Sequence, residues 1–267
     1  MLKTLKKYAL IYKVFVKNCF IAQMEYRINF LFANTIEIAY LFIKLLYVMV
    51  AFRVGVVING YTPDMMMMFV GSFTMMTGFY CLFFYSNFMN LSNHVRNGTL
   101  DLLITKPVSL QFIATLRNVD FGFSFTNVVA GAGMIILAWS RMGIPVTLSR
   151  VVMFLLFIFL GIVLKYAIFL MPSLISFWTV QTAAVNQMST AIWDMNHVPM
   201  HIYGRSVRHA GTFLFPVFVI TNFPPLFVLD RLTWVHMVWF LIAPLLFLFL
   251  SRKLWNVAIR NYSSASS

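Results

Sequence analysis

Long apolar stretches alternate with short polar connections over most of this chain. A helix needs about 20 apolar residues to cross the hydrocarbon of a bilayer. Stretches of that kind predict six membrane-spanning helices, at residues 30–52, 65–89, 112–139, 144–165, 174–193 and 234–250. The pattern therefore predicts an all-α integral membrane protein, in which residues 30–267 form a single transmembrane domain.

Residues 1–29 precede the first predicted span and follow a different pattern. Apolar side chains recur three and four positions apart from Leu2 to Cys19, and lysines occupy other positions of the helical wheel. Such a pattern is typical of an amphipathic helix on a membrane surface. We therefore expect a cytoplasmic elbow helix that contacts membrane lipid.

Composition and charge support a membrane location. Hydrophobic residues make up 61% of the chain and charged residues 10%, with a mean hydropathy of +0.85, which is too apolar for a soluble domain. The net charge of +13 would suggest nucleic acid in a soluble protein, but here the cations flank the spans. Because cytoplasmic loops carry most Lys and Arg, we expect both termini in the cytoplasm, a cell (inner or plasma) membrane location and no nucleic-acid partner.

Motifs for chemistry do not occur in the sequence. It has no Gly-Lys dipeptide, hence no nucleotide-binding loop, and neither Gly-x-Ser-x-Gly nor His-Glu-x-x-His. Methionine and histidine at 65–68 and 195–201 offer soft ligands, but consecutive methionines cannot face one site, and Pro199 interrupts the spacing. Cys19 and Cys81 lie in the predicted elbow and second span. We expect no enzymatic activity, metal site or cofactor in this chain.

Three polar residues share one face of the first predicted span. Asn34, Glu37 and Lys44 are three and seven positions apart, so they should face the protein interior and not lipid. Charges at that depth need partners. Two interpretations stay open: a polar lining of a transport path or an inter-subunit contact, or a structural pairing with another helix.

Two further charged groups are expected near the membrane surface. Arg117 and Asp120 are three positions apart at the start of the third predicted span, which predicts an ion pair on one helix face. A short turn is predicted at residues 166–173, where Pro172 lies. That turn would leave Lys165 close enough to the inner surface for its ammonium to reach water.

Residues 212–229 are apolar enough to enter the bilayer but contain three prolines and an asparagine. Broken helix at membrane depth is tolerated where it is buried in protein or lines a cavity. We therefore expect an external re-entrant hairpin between spans five and six. A crossing segment is the alternative, and it would place the basic C-terminal tail outside, against the charge rule.

The connection between spans two and three has the signals of a short helix. Gly98 can adopt a positive φ, and Thr99 can cap the following turn. Asp101 suits a first turn and Pro107 ends the helix. Such a helix either inserts into a cleft of another protein or lies against lipid headgroups. The candidate contact residues are Gly98, Thr99, Leu100, Asp101, Leu103, Ile104, Lys106 and Pro107.

Taken together, these features resemble the membrane subunits of type-2 ABC exporters, a bacterial permease family. The resemblance runs along essentially the whole chain. His197 and Ser266 depart from it, because the family tends to have an aromatic residue and a glycine there. It is carried by residues 26–30 (Tyr-Arg-Ile-Asn-Phe), residues 98–101 (Gly-Thr-Leu-Asp), Lys106-Pro107, Pro199, Tyr203, Pro216, Pro224, Trp255, Arg260, Tyr262 and Ser264-Ala265-Ser266.

The resemblance implies six spans, an elbow helix, a coupling helix after the second span and a re-entrant hairpin between the last two. It also implies a permease subunit of an ATP-driven exporter, which forms the translocation path with a second permease. Separate ABC ATPase subunits would bind the ATP and magnesium. A heterodimer is favoured and a homodimer stays open, and the cargo could be lipid, peptide or drug.

Two other functions stay open at this point. An ion-coupled carrier or channel could use Glu37 and Lys44 as its charged path and would need no ATPase. Inverted repeats would support a carrier, and none is evident in the sequence. A non-transporting, sensory permease-like subunit is the other possibility.

Overall fold

The computed structural model describes residues 2–53, 60–179 and 182–262. The terminal Ser264, Ala265 and Ser266 lie outside the described residues. The helices are α1 (Leu2–Glu25), α2 (Arg27–Arg53), α3 (Pro63–Tyr80), α4 (Ser86–Arg96), α5 (Asp101–Ile104), α6 (Leu110–Leu116), α7 (Ser124–Arg141), α8 (Leu148–Leu174), α9 (Thr182–Met195), α10 (Arg205–His209), α11 (Val217–Val228) and α12 (Trp234–Arg260).

Several described helices are long and apolar enough to cross a membrane. A further crossing is counted if Arg205–Leu214 and Val217–Val228, which meet at 97°, form one broken span. The chain is therefore a multi-pass membrane protein, and the count of six spans stays a prediction. The four unbroken candidates are Arg27–Leu46, Pro63–Arg96, Leu148–Phe177 and Trp234–Arg260.

Glycines allow α3 and α7 to pack closely. A Cβ at Gly131 would lie 2.5 Å from the backbone nitrogen of Met75, and one at Gly78 would lie 2.8 Å from that of Val128. Small residues let membrane helices approach in this way, because lipid supplies little hydrophobic drive for their association. The two glycines thus fix α7 beside α3.

The predicted span at 112–139 is not one continuous helix. Residues 117–123 leave the helical conformation between α6 and α7. Asn87 of α4 accepts a hydrogen bond from the Asn118 N–H (2.8 Å) and donates one to the Asn118 carbonyl (2.7 Å). The side chain of Asn87 therefore replaces bonds that a continuous helix would make within itself.

Helix α1 packs along α6 and the start of the break. Ser109 donates its N–H to the Tyr8 hydroxyl at 3.0 Å, and the ring of Phe112 meets that of Tyr8 edge to face at 4.8 Å. At the far end of α1, Gln23 donates to the Val119 carbonyl at 2.7 Å. Helix α1 is thus attached to the rest of the protein, and its five lysines are exposed.

The predicted turn at residues 166–173 is wrong. Helix α8 continues through this segment to Leu174, with Pro172 inside its last turn. Pro172 has no N–H to donate, so the carbonyl of Ile168 lacks its helical partner near the end of α8. Tyr166 accepts a hydrogen bond from Gln111 of α6 at 3.0 Å, so the segment joins α8 to α6.

Helix α11 is the most deeply buried helix of the second half. Its 12 residues extend about 18 Å, less than the roughly 30 Å of hydrocarbon. The Asn222 side chain accepts the Met200 N–H at 2.8 Å, and the Thr221 hydroxyl donates to Asn196 at 3.2 Å. This geometry suits a re-entrant hairpin or a broken span, and the hairpin stays a prediction.

We expect Asn87→Leu to destabilise the protein, because it leaves two backbone groups of Asn118 without partners. Each buried, unsatisfied group costs about 1–3 kcal/mol. Thermal unfolding of the detergent-purified protein, followed by tryptophan fluorescence, should show a lower midpoint. Asn93→Leu, at an exposed position of the same helix, is the matched control. Equal midpoints for the two variants would contradict the role given to Asn87.

Candidate functional site

Contacts between helix ends define two opposite ends of the molecule. At the first, which we call the α10 end, Tyr61 bonds to His201 at 3.1 Å and Arg231 donates to the Gly60 carbonyl at 3.3 Å. Burial raises the pKa of Tyr61 to about 12. Helices α3 and α12 both start at this end and run to the second, which we call the α5 end.

At the α5 end, a short helix presents two different faces. Gly98 adopts φ +69°, as expected, and turns the chain into α5. Leu100 and Leu103 are buried within the chain's own core, at 0% and 5% exposure, whereas Leu102 and Ile104 are 67% and 48% exposed. The side chains available to a partner are therefore Leu102 and Ile104.

Some polar residues of this loop contact other parts of the protein, and others are exposed. Thr99 does not cap α5 but bonds to His94 at 2.7 Å. Asp101 lies next to Tyr262, and burial together with this carboxylate raises the pKa of Tyr262. Lys106 and Pro107 are exposed, and the Pro107 carbonyl accepts a hydrogen bond from Lys7 of α1 at 3.0 Å.

The polar stripe of α2 faces the protein, as its spacing predicts. The Asn34 side chain accepts a hydrogen bond from Thr126 at 2.7 Å, and Glu37 accepts one from Asn127 at 2.7 Å. The Lys44 ammonium lies 5.7 Å from the centre of the Phe73 ring. Glu37 and Lys44 do not form an ion pair with each other; among the described residues, Arg150 and Asp230 do, at 2.9 Å.

Lys165 occupies an aromatic cage and not the membrane surface, so the prediction that it reaches water is wrong. It is 1% exposed, and within the described part of the chain its ammonium has no hydrogen-bond partner. Burying an amino group without a hydrogen-bond partner costs free energy. Cation–π attraction, worth about 2 kcal/mol or more when desolvated, offsets part of this cost. The cage consists of Trp193 (4.5 Å from the ammonium to the ring centre), Tyr80 (4.9 Å), Phe169 (5.7 Å) and Phe73 (5.9 Å).

A cleft of about 800 Å³ lies beside this cage, and we call it the cage cleft. Tyr80, Phe169 and Trp193 form part of its wall, and Glu37 and Asp120 bring carboxylates to it. Helices α2, α3, α4, α8 and α9 and the break at 117–123 all contribute residues. This cleft is the main candidate site in the described structure.

The carboxylate of Asp120 reaches the cleft because the break reorients it. The predicted ion pair with Arg117 does not form: Asp120 instead accepts the Gly122 N–H at 2.9 Å, and Arg117 is exposed. An aspartate that accepts a bond from the N–H two residues on is a common turn device. The combination of Asp120 and Gly122 was the sequence signal for this turn.

Broken helices, a buried lysine and a cleft between helices occur together in many membrane transport proteins. A family model described as ABC-2 family transporter protein matches residues 38–266. The chain therefore belongs to the ABC-2 transporter family and is a type-2 ABC permease. No curated protein and no solved structure matches it significantly.

We expect Lys165→Met to raise the thermal unfolding midpoint, because methionine keeps an unbranched side chain only one atom shorter and removes a buried amino group that has no hydrogen-bond partner in the described structure. Replacing even a buried ion pair with well-packed apolar residues is often neutral or stabilising, by roughly 1–4 kcal/mol, and Lys165 lacks an ion-pair partner among the described residues. Lys253→Met is the control, since the ammonium of Lys253 also lies on a ring, 5.0 Å from the centre of Phe249, but on an exposed residue. A midpoint lower than that of the control would show that the cage stabilises the fold more than burial costs.

Proposed function

We propose that this permease is the transmembrane subunit of an ATP-driven exporter, coupled at its α5 end to separate ABC ATPase subunits. The single observation that supports this most is the two-faced α5. Its buried leucines anchor it to the core, and its exposed Leu102 and Ile104 offer an apolar patch on a short helix. Apolar anchors of this kind suit insertion into a groove of a partner protein.

The α5 end is the cytoplasmic end in this proposal. Of the candidate contact residues predicted from the sequence, the buried Leu100 and Leu103 position the helix in this proposal, and Ile104 contacts the ATPase together with Leu102, which the sequence prediction did not include. Both termini then lie in the cytoplasm, and the lysines of α1 face the inner leaflet of the cell membrane, where anionic lipid attracts them.

A second permease completes the translocation path in this proposal. Helix α2 turns its polar stripe towards α7 and exposes large apolar side chains such as Leu31, Phe32 and Ile38 on its other face. Such a face suits lipid or a second permease. A heterodimer is favoured here, and a homodimer is the other possible assembly.

We expect Leu102→Asp to weaken the contact with the ATPase without unfolding the permease, because Leu102 is exposed. ATPase retained on the affinity-tagged permease should fall about tenfold, the effect of losing roughly 1.4 kcal/mol of binding free energy. ATP-driven transport should fall with it. By contrast, Leu100→Asp should lower the yield of folded protein, because it buries a charge in the chain's own core.

The matched control is Leu148→Asp, at a leucine that is 81% exposed and lies near the α10 end. It should leave ATPase retention unchanged. A photo-reactive amino acid at position 102 or 148 gives an independent readout, since only position 102 should cross-link to a protein that carries a Gly-Lys-Ser or Gly-Lys-Thr loop. Cross-linking from position 148 alone would reverse the assignment of the two ends.

A further inference from the structure

The fold does not neutralise the carboxylates of the cage cleft. Glu37 accepts one hydrogen bond, from Asn127, and Asp120 accepts one, from Gly122. Neither forms an ion pair within the described residues. Because a carboxylate accepts through two oxygens, each keeps acceptor capacity at the wall of the cleft.

Much of the remaining wall is aromatic. Tyr80, Phe123, Phe169 and Trp193 all contribute to it, and no lysine, arginine or histidine is among the described residues that line it. The faces of aromatic rings attract cations. Carboxylates and ring faces together thus favour a ligand that combines a positive charge with an apolar body.

Two lysines near the cleft restrict where that charge can lie. The ammonium groups of Lys165 and Lys44 are held against Trp193 (4.5 Å) and Phe73 (5.7 Å), and neither lysine lines the cleft. A cation placed near their rings would be repelled. The favourable position for positive charge is therefore the side of the cleft that carries Glu37 and Asp120.

We propose that the cage cleft binds amphiphilic organic cations, with the charged group near Glu37 and Asp120 and the apolar body against Phe169 and Trp193. The volume of about 800 Å³ lies within the range of roughly 300–1,000 Å³ for small-molecule sites. The inference that such cations are the exported substrates rests on the proposed function. The inference that they bind in the cleft depends only on the residues that line it.

The test measures binding to the purified permease in nanodiscs, without ATPase. The probes are tetraphenylphosphonium and tetraphenylborate, which have nearly the same shape and opposite charge. We expect saturable binding of the cation above that of empty nanodiscs, and weaker binding of the anion. The double variant Glu37→Gln with Asp120→Asn should weaken cation binding about tenfold or more. Both substitutions keep the oxygen that accepts from Asn127 or Gly122.

Asp194→Asn is the matched control, because Asp194 is an exposed carboxylate on α9 that does not line the cleft. Its cation affinity should equal that of the parent protein. Absence of saturable cation binding, or binding that the double variant leaves unchanged, would overturn the proposal. Tighter binding of tetraphenylborate that is lost in Lys165→Met would also overturn it, in favour of an anionic ligand.

The same protein, reconstituted with its ATPase, separates this proposal from the proposed function. Cation binding that depends on Glu37 and Asp120, together with ATP-driven cation transport, supports both. Binding without transport supports the site and contradicts its use in export. ATP-driven transport of another compound, with no cation binding, supports the exporter and overturns the site.

Discussion

The structure depends on how the chain satisfies its backbone polar groups where the helix breaks at residues 117–123. Hydrocarbon offers no hydrogen bonds, so broken backbone must find partners within the protein. Asn87 and Gln23 supply side-chain partners, and the Leu82 carbonyl accepts the Asp120 N–H at 3.0 Å. That last bond comes from the π-helical turn Cys81–Tyr85, and such turns are frequent at functional sites. The break and the turn together bring Asp120 to the cage cleft.

Lys165 contrasts with the break, because its buried ammonium has no hydrogen-bond partner among the described residues, and an unsatisfied buried group of this kind reduces stability. Its cage joins three elements, because Tyr80 is in α3, Phe169 in α8 and Trp193 in α9. Ionisable residues inside membrane domains generally mark functional positions. The cage places the amino group of Lys165 behind one wall of the cleft, and the carboxylates of Glu37 and Asp120 line the cleft itself. In the proposed site, this asymmetry orients the amphiphilic ligand.

Sequence patterns predicted the parts of the fold that local apolar periodicity controls. The span predicted at 30–52 corresponds to α2 (Arg27–Arg53), and the inward face with Asn34, Glu37 and Lys44 is confirmed. The break near Asp120 could not be recognised from apolarity, because its polar groups are satisfied by Asn87, which is distant in sequence. The position of Lys165 depends on rings from three helices, and no local pattern contains that arrangement. Long-range contacts, and not local periodicity, built the candidate site.

Helix α1 connects the two regions on which the proposed function rests. Near its start, Lys7 and Tyr8 bond to Pro107 and Ser109, directly after α5. Near its end, Gln23 holds the break beside Asp120. The 15 helical steps between Tyr8 and Gln23 extend over about 22 Å, and they form one continuous helix. A displacement of α5 by an ATPase would therefore act on the wall of the cage cleft through both α6 and α1. If α1 served only to anchor the chain on lipid, it would not need side-chain hydrogen bonds to the protein near its start and near its end.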